Sequence, residues 1–181
     1  YKPLTVMYTD AVTISGLYIA NGNGVASLET QYSIVTISDC YFTQSGSIAN
    51  CRINNASVAT ISNSFFEITA NFTVNLVYDS WSGGIVSDCG FKGHASGTHA
   101  IHNTNYSGLS TYRNVVLTGL VGFSSIYLSR HRLYSNLIMT GVGTGIMSNN
   151  FSFVYNSGSC TNNATTPKSP ASAGTDYTYL A

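Results

Sequence analysis

Charge is the property that this sequence has least of. Charged residues make up 8% of the 181 residues, and seven lysines and arginines balance seven aspartates and glutamates. Nucleic acids and anionic membranes are bound through basic surfaces, so the composition argues against both as partners. Long hydrophobic runs are missing as well. No stretch of 18 apolar residues occurs, so the sequence predicts no membrane-spanning helix.

Apolar and hydroxyl-bearing residues are abundant instead. Hydrophobic residues make up 44% of the chain and aromatic residues 12%, which is too much for a disordered protein. Serine and threonine together number 45. An uncharged, hydroxyl-rich chain is more typical of an extracellular or virion surface than of a cytosolic enzyme, and we expect that location here.

An eight-residue phrase recurs six times along the chain. The copies begin at residues 12, 35, 59, 84, 110 and 132, at intervals of 22 to 26 residues. They read VTISGLYI, VTISDCYF, ATISNSFF, GIVSDCGF, STYRNVVL and RLYSNLIM. A second β-prone segment follows each copy. Apolar residues alternate with polar ones and β-branched residues are frequent, which predicts strands rather than helices.

The columns of this alignment have distinct physical characters. Small or apolar residues at the third, sixth and eighth positions predict three columns that face a core, whereas serine at the fourth predicts exposure. The third column is Ile14, Ile37, Ile61, Val86, Tyr112 and Tyr134, and the eighth is Ile19, Phe42, Phe66, Phe91, Leu117 and Met139. The fifth column is Gly16, Asp39, Asn63, Asp88, Asn114 and Asn136. These last residue types tolerate left-handed backbone, which predicts a turn in every repeat.

A repeat of about 24 residues with the period of a sheet is typical of one coil of a β-solenoid. The stacked aliphatic residues, Phe66 beside Phe91, and the turn ladder through Asn63, Asp88, Asn114 and Asn136 resemble the right-handed parallel β-helix of the pectate-lyase-like superfamily. Phage tailspikes are the most similar members. The resemblance covers about residues 4–155 and implies an all-β fold of about six to seven coils. It leaves function open, because that superfamily includes lyases, hydrolases, tailspikes and adhesins.

The repeat predicts two segments. Residues 1–156 form the β-helix domain, and residues 157–181, rich in Ser, Thr, Ala and Pro, form an extended tail or linker. Residues 4–11 read as the last strand of an earlier coil. An uncovered coil end promotes aggregation. We therefore expect the domain to begin in mid-coil, with further chain before Tyr1 or a partner chain covering that end.

Few side chains are candidates for catalysis. Asp79, His102 and Arg130 fall near one another if loops are ignored, and such a group could hold an acidic sugar or supply a general base. A polar loop cluster is the alternative. Asp39 and Asp88 lie two coils apart, roughly 10 Å, near the upper separation for an inverting glycosidase. Their place in the turn column favours a structural role.

The remaining charges and the cysteines have structural interpretations. Glu67 with Lys92, and Glu29 with Arg52, occupy equal offsets in adjacent coils and predict surface ion pairs. The cysteines predict no disulfide framework: Cys40 and Cys89 share an inward column, Cys51 lies on a second strand, and Cys160 lies in the tail. The sequence predicts no metal site and no cofactor, because the histidine spacing forms no known ligand motif.

Aromatic residues occupy the first three places of the column between the two inward ones, which also contains Val116. Tyr18, Tyr41 and Phe65 should therefore point outward, in one row along adjacent coils. The row could pack another subunit, bind sugar rings or be covered by a loop.

Three functions remain open. The first is a tailspike-like appendage, expected to be a homotrimer, that recognises a host surface polysaccharide. The second is a secreted polysaccharide lyase or glycoside hydrolase, although the chain lacks an aspartate cluster for calcium of the pectate-lyase type and the paired aspartates of polygalacturonases. The third is a purely structural solenoid. The sequence favours the first, and leaves open whether the chain is a depolymerase.

Overall fold

The computed structural model describes most of the chain up to Thr104 and separate strands beyond it. The described residues are 3–22, 25–45, 49–69, 74–93, 99–104, 109–113, 115–118, 121–125, 130–133, 137–140, 144–148, 153–156, 160–162, 166–170 and 177–180. Up to residue 104, the side chains of these residues are described, except at 74, 75, 77, 99 and 103. Beyond residue 104, only the side chain of Val115 is described. All regular elements are β-strands, and no helix among these residues is long and apolar enough to cross a membrane.

The strands are short and follow one another closely. In chain order they are β1 (Leu4–Met7), β2 (Val12–Ser15), β3 (Tyr18–Asn21), β4 (Leu28–Gln31), β5 (Ile34–Ser38), β6 (Tyr41–Gln44), β7 (Cys51–Asn54), β8 (Val58–Ser62), β9 (Phe65–Ile68), β10 (Val74–Tyr78), β11 (Gly83–Ser87), β12 (Gly90–Lys92), β13 (His99–Asn103), β14 (Leu109–Arg113), β15 (Val116–Thr118), β16 (Val121–Ser125), β17 (Arg130–Leu133), β18 (Leu137–Thr140), β19 (Thr144–Ser148), β20 (Phe153–Asn156), β21 (Cys160–Asn162), β22 (Thr166–Pro170) and β23 (Tyr177–Leu180).

Every third strand belongs to the same sheet, and every pairing is parallel. The first sheet has the order β1-β4-β7-β10-β13-β16-β19-β22, the second β2-β5-β8-β11-β14-β17-β20-β23, and the third β3-β6-β9-β12-β15-β18-β21. One repeat thus contributes one strand to each sheet, which makes the fold a parallel β-solenoid. The predicted number of coils and the predicted domain boundaries reach beyond the residues whose side chains are described, and they stay predictions.

The repeat predicts the register of the second sheet over its first five strands. Ile14 pairs with Ile37, Ile37 with Ile61, Ile61 with Val86 and Val86 with Tyr112. The side chains of the first four of these residues are buried. The prediction is wrong for the sixth copy, because Tyr112 pairs with Leu133 rather than with Tyr134. The third sheet keeps the predicted pairing of Leu117 with Met139. The sixth copy therefore has one more residue between its two strands than the fifth copy has. The alternation of apolar residues within each strand does not reveal such an insertion between the strands.

The predicted turn column is confirmed where it is described. Gly16, Asp39, Asn63 and Asp88 have φ angles of 65°, 55°, 46° and 54°. Left-handed backbone at this position turns the chain sharply from the second sheet to the third, which glycine, asparagine and aspartate permit at the lowest cost. The predicted members Asn114 and Asn136 lie outside the described residues.

A hydroxyl ladder, formed by Ser33, Ser57 and Ser82, holds the corner between the first and second sheets. The Ser33 hydroxyl accepts a hydrogen bond from the Thr9 N–H at 3.3 Å and donates to the Gln31 carbonyl at 2.8 Å. Ser57 accepts from the Ser33 N–H at 3.2 Å, and Ser82 from the Ser57 N–H at 3.1 Å. All three serines are buried, and each accepts a hydrogen bond from an N–H of the preceding coil, so the polar groups at this corner are paired.

The core is a set of residue columns that run along the solenoid axis. The rings of Phe42 and Phe66 stack at 5.0 Å, and those of Phe66 and Phe91 at 4.9 Å, each pair within 6° of parallel. Cys40, Cys51 and Cys89 are buried free thiols, as the sequence predicts. Cys160 lies on β21, and its side chain is outside the described part of the structure. The inner surface is therefore filled by packing, which leaves the outer faces and corners of the solenoid for function.

Candidate functional site: outward aromatic and polar surfaces

The aromatic row predicted on the third sheet is present. The rings of Tyr18 and Tyr41 stack at 5.2 Å and 16°, and those of Tyr41 and Phe65 at 5.4 Å and 13°. Phe65 in turn lies against Gly90, where an added Cβ would come within 2.6 Å of the ring. The ring faces of Tyr41 are therefore covered by its neighbours, whereas Tyr18 is 70% exposed. A sugar ring that needs an aromatic face can use Tyr18 but not the middle of the row.

Glu67 links this row to the predicted ion pair with Lys92. Its carboxylate accepts a hydrogen bond from the Tyr41 hydroxyl and lies 2.8 Å from Nζ of Lys92, which confirms the predicted pair. The bond to Glu67 and partial burial raise the pKa of Tyr41 to about 12. The Lys92 ammonium and the Tyr41 hydroxyl lower the pKa of Glu67. The cluster thus holds a charged carboxylate and a protonated tyrosine at neutral pH, which fixes the outer edge of the row.

A second polar surface covers the outer face of the first sheet. This polar face consists of Glu29, Gln31, Arg52, Asn54, Asp79 and His102. Glu29 and Arg52 are neighbours in register, but the predicted ion pair between them is not formed. Arg52 instead lies 3.9 Å from Asp79, while Glu29 accepts hydrogen bonds from Asn54 Nδ2 at 3.0 Å and Gln31 Nε2 at 3.5 Å. Each strand of a parallel sheet has two neighbours, and Arg52 uses the one that the prediction did not consider.

The structure places the residues of the predicted catalytic group on neighbouring sheets. Asp79 directly follows β10, and His102 lies on β13, the next strand of the same sheet, in register with Val77. Arg130 begins β17 of the second sheet, so it lies beyond a corner of the solenoid from the other two. Arg52 is the arginine that contacts Asp79. The side chain of Arg130 lies outside the described part of the structure, so the group of Asp79, His102 and Arg130 stays a prediction.

Asp39 and Asp88 occupy the turn column as predicted. Both are exposed, both have positive φ, and Asn63 lies between them in the intervening coil. Their backbone conformation accounts for the residue type without catalysis. Their assignment as a carboxylate pair stays a prediction.

A third surface, which the sequence patterns above do not predict, lies at the corner between the first and second sheets. We call it the aromatic corner and define it by Tyr8, Tyr32, Ala56 and Trp81, which all have positive φ. Tyr8, Tyr32 and Trp81 are 74%, 51% and 71% exposed. A signal for it is in the sequence, because each aromatic residue lies three or four positions before a copy of the eight-residue phrase. An alignment that begins at the phrase itself does not include them.

Two other kinds of site have little support. A groove of about 370 Å³ is lined by residues without titratable side chains: Pro3, Leu4, Leu17, Ile19, Ala20, Asn21 and Ser27. Among the residues described, no three His, Cys, Asp or Glu side chains are grouped to hold a metal ion. The chain matches no family model, no curated protein and no solved structure. The outward aromatic and polar side chains are therefore the basis for any functional assignment.

Proposed function

We propose that this chain belongs to an extracellular or virion appendage that recognises a polysaccharide on a host surface. In this proposal the solenoid is a right-handed β-helix of the pectate-lyase-like type, most similar to a phage tailspike, and it works as a homotrimer. The observation that carries the proposal is the exposure of large aromatic side chains. Tyr8, Tyr18, Tyr32 and Trp81 are each at least 51% exposed, on a protein with very little charge.

The chemistry of sugars fits these surfaces. A sugar ring has one or two faces of C–H groups, which pack on aromatic rings, and an edge of hydroxyl groups, which bond to carboxylates and amides. The polar face supplies Glu29 and Gln31, which lie three positions and one position before Tyr32 in the chain. Equivalent positions recur at each coil, about 4.8 Å apart, so an extended polymer can contact several coils at once.

A polysaccharide depolymerase is the second candidate. Asp79 is in contact with Arg52, and His102 lies on the adjacent strand of the same sheet. A carboxylate and an imidazole on one surface are suited to general acid and base catalysis. A structural solenoid without any ligand is the third candidate, and the same experiment separates it from the other two.

The test is incubation of the purified chain with immobilised capsular polysaccharides, lipopolysaccharides and pectins. Retention without new reducing ends supports the proposal. New reducing ends that disappear in Asp79→Asn, but persist in Asp39→Asn, would support the depolymerase instead. If no glycan is retained or cleaved, the glycan proposal is wrong and the structural solenoid stands. Light scattering tests the homotrimer, which requires a particle of three times 19.3 kDa.

A further inference from the structure

The aromatic corner holds bulky residues in a backbone conformation that they rarely adopt. The φ angles of Tyr8, Tyr32 and Trp81 are 53°, 49° and 71°. Left-handed backbone is unfavourable for such residues, and the corner between the second and third sheets uses Gly16 and Asp39 for the same purpose. Residues held in strained conformations cluster at binding and active sites. The strained backbone at this corner therefore suggests that these side chains have a role in binding rather than in folding.

The aromatic side chains of this corner leave most of their surface in water. The ring of Tyr32 stacks on that of Tyr8 at 5.1 Å and 12°, yet both residues are more than half exposed, and Trp81 is 71% exposed. A buried aromatic residue contributes to stability through the surface it removes from water, and these three remove little.

The spacing of the residues leaves a gap in the row. Ala56 lies in the coil between Tyr32 and Trp81, and its N–H donates to the Ser80 carbonyl at 2.8 Å, as the Tyr32 N–H donates to the Asn55 carbonyl at 3.0 Å. Tyr32 and Trp81 are thus two coil spacings apart, roughly 10 Å along the axis. A ring packed between two aromatic side chains needs contacts of about 3.5–4.0 Å on each face. The gap above Ala56 has room for one sugar ring between Tyr32 and Trp81.

The polar face adjoins this gap and sets the charge that a ligand meets. Asn54 and Asp79 come two residues before Ala56 and Trp81 in the chain. Among the described side chains of the polar face, Arg52 pairs with Asp79 at 3.9 Å, whereas the Glu29 carboxylate accepts hydrogen bonds from two neutral amides, those of Asn54 and Gln31. An anionic sugar would be repelled by the Glu29 carboxylate. A neutral sugar can donate a hydroxyl hydrogen to it.

We propose that the aromatic corner is the glycan-binding site, and that it takes one ring of a neutral polysaccharide between Tyr32 and Trp81, above Ala56. This inference rests on the proposed function and adds to it the location and the class of ligand. An acidic sugar held by an arginine is the alternative that the experiment tests.

The experiment measures binding and stability of the same variants. The probes are immobilised dextran, mannan and galactan as neutral polymers, and polygalacturonate and alginate as acidic ones. Trp81→Gly and Tyr32→Gly remove the side chain and relieve the backbone strain, and Ala56→Trp fills the gap at a position where other coils already carry an aromatic residue. Tyr18→Ala tests the outward row of the third sheet as the alternative site. Ile85→Ala is the control, because Ile85 is 43% exposed on β11 and belongs to neither surface.

We expect the wild-type chain to retain a neutral polymer and to bind the acidic ones at least tenfold more weakly. Trp81→Gly and Ala56→Trp should each weaken neutral binding about tenfold or more, as removal of a central aromatic anchor does. Ile85→Ala should change binding less than twofold. The melting temperature of the two glycine variants should stay the same or rise by about 2–4 °C, because strain is relieved.

Each other result overturns the inference in a recognisable way. Binding that survives Trp81→Gly and Ala56→Trp but is lost in Tyr18→Ala places the site on the third sheet and leaves the proposed function intact. Preference for polygalacturonate or alginate refutes the ligand class. A fall in the melting temperature of both glycine variants means that the corner aromatic residues are structural. If the wild-type chain retains none of these neutral and acidic polymers, and none of the capsular polysaccharides, lipopolysaccharides and pectins, the proposed function itself fails.

Discussion

Truncation of Phe66 to alanine should destabilise the solenoid far more than truncation of its neighbour, Phe65. Phe66 is 0% exposed and is the middle ring of the stack with Phe42 and Phe91. Buried Phe→Ala substitutions cost about 3–5 kcal/mol, and each stacked pair adds about 0.5–1.5 kcal/mol beyond area burial. Because Phe66 takes part in two pairs, we expect a loss near the upper end, about 4–5 kcal/mol.

Phe65 is the matched control. It is the same residue type, one position earlier, on the outer face of the same strand, and it is half-buried with a single stacking partner, Tyr41. Its truncation should cost about 1 kcal/mol, mostly the lost pair. The free energies of unfolding of the two variants should therefore differ by about 3 kcal/mol, although the substituted positions are adjacent in the chain.

Urea unfolding measures the difference. Far-ultraviolet circular dichroism follows the strands, and fluorescence follows Trp81, the single tryptophan. With a slope of about 2–3 kcal/mol per molar urea, the midpoint of Phe66→Ala should lie more than about 1 M below that of Phe65→Ala. Equal midpoints, or the reverse order, would show that the strand is shifted by one residue and that the assignment of inner and outer faces is wrong.

Three further predictions use other parts of the solenoid. Gly84→Ala should lower the free energy of unfolding in urea by about 3 kcal/mol, because the new Cβ would lie 1.9 Å from the Ala59 carbonyl oxygen. In the control, Gly16→Ala, the new Cβ meets nothing within 4 Å, and the loss should be about 1 kcal/mol or less. Equal losses would contradict the close approach of the Ala59 backbone to Gly84. Glu67→Gln should move the pKa of Tyr41 from about 12 towards 10, seen in absorbance titration of the tyrosinates, and an unchanged number of late-titrating tyrosines would refute that coupling. The difference in unfolding free energy between wild type and Glu67→Gln should be largest above the ordinary glutamate pKa of 4.5. It should disappear as the pH falls through the lowered pKa of Glu67. A difference that grows in acid would contradict the lowered pKa.

The parts of the fold that the sequence predicts are those where residue type alone dictates geometry. Asp39, Asn63 and Asp88 belong to the types that tolerate left-handed backbone, so their column predicts the turn without knowledge of the neighbours. The same rule fails at Tyr8 and Trp81, which have positive φ against their preference. A rule that looks for glycine and asparagine cannot find a turn made of aromatic residues.

The candidate site was less predictable, because it depends on choices that a repeat pattern leaves open. The pattern places Glu29 beside Arg52, and the strands do pair in that register, but it does not show that Asp79 flanks Arg52 on the other side. It also places Tyr18 and Tyr41 in one outward row, without showing that the rings stack on each other. The orientation of a ring depends on its neighbours in three dimensions, and the period of a strand carries no information on it.

The hydroxyl ladder makes the coils exchangeable units. Ser33 and Ser57 each accept an N–H from the coil before and occupy the same position in successive coils. If Tyr32 were joined directly to Ser57, the Ser57 hydroxyl would take the place of the Ser33 hydroxyl. It would accept the hydrogen bond from the Thr9 N–H, and the polar groups at that corner would stay paired. The solenoid can therefore lengthen or shorten by whole repeats without a new turn. A gene encoding such a ladder can change the reach of the protein by duplication or excision of one repeat, while the corners and the core columns stay the same.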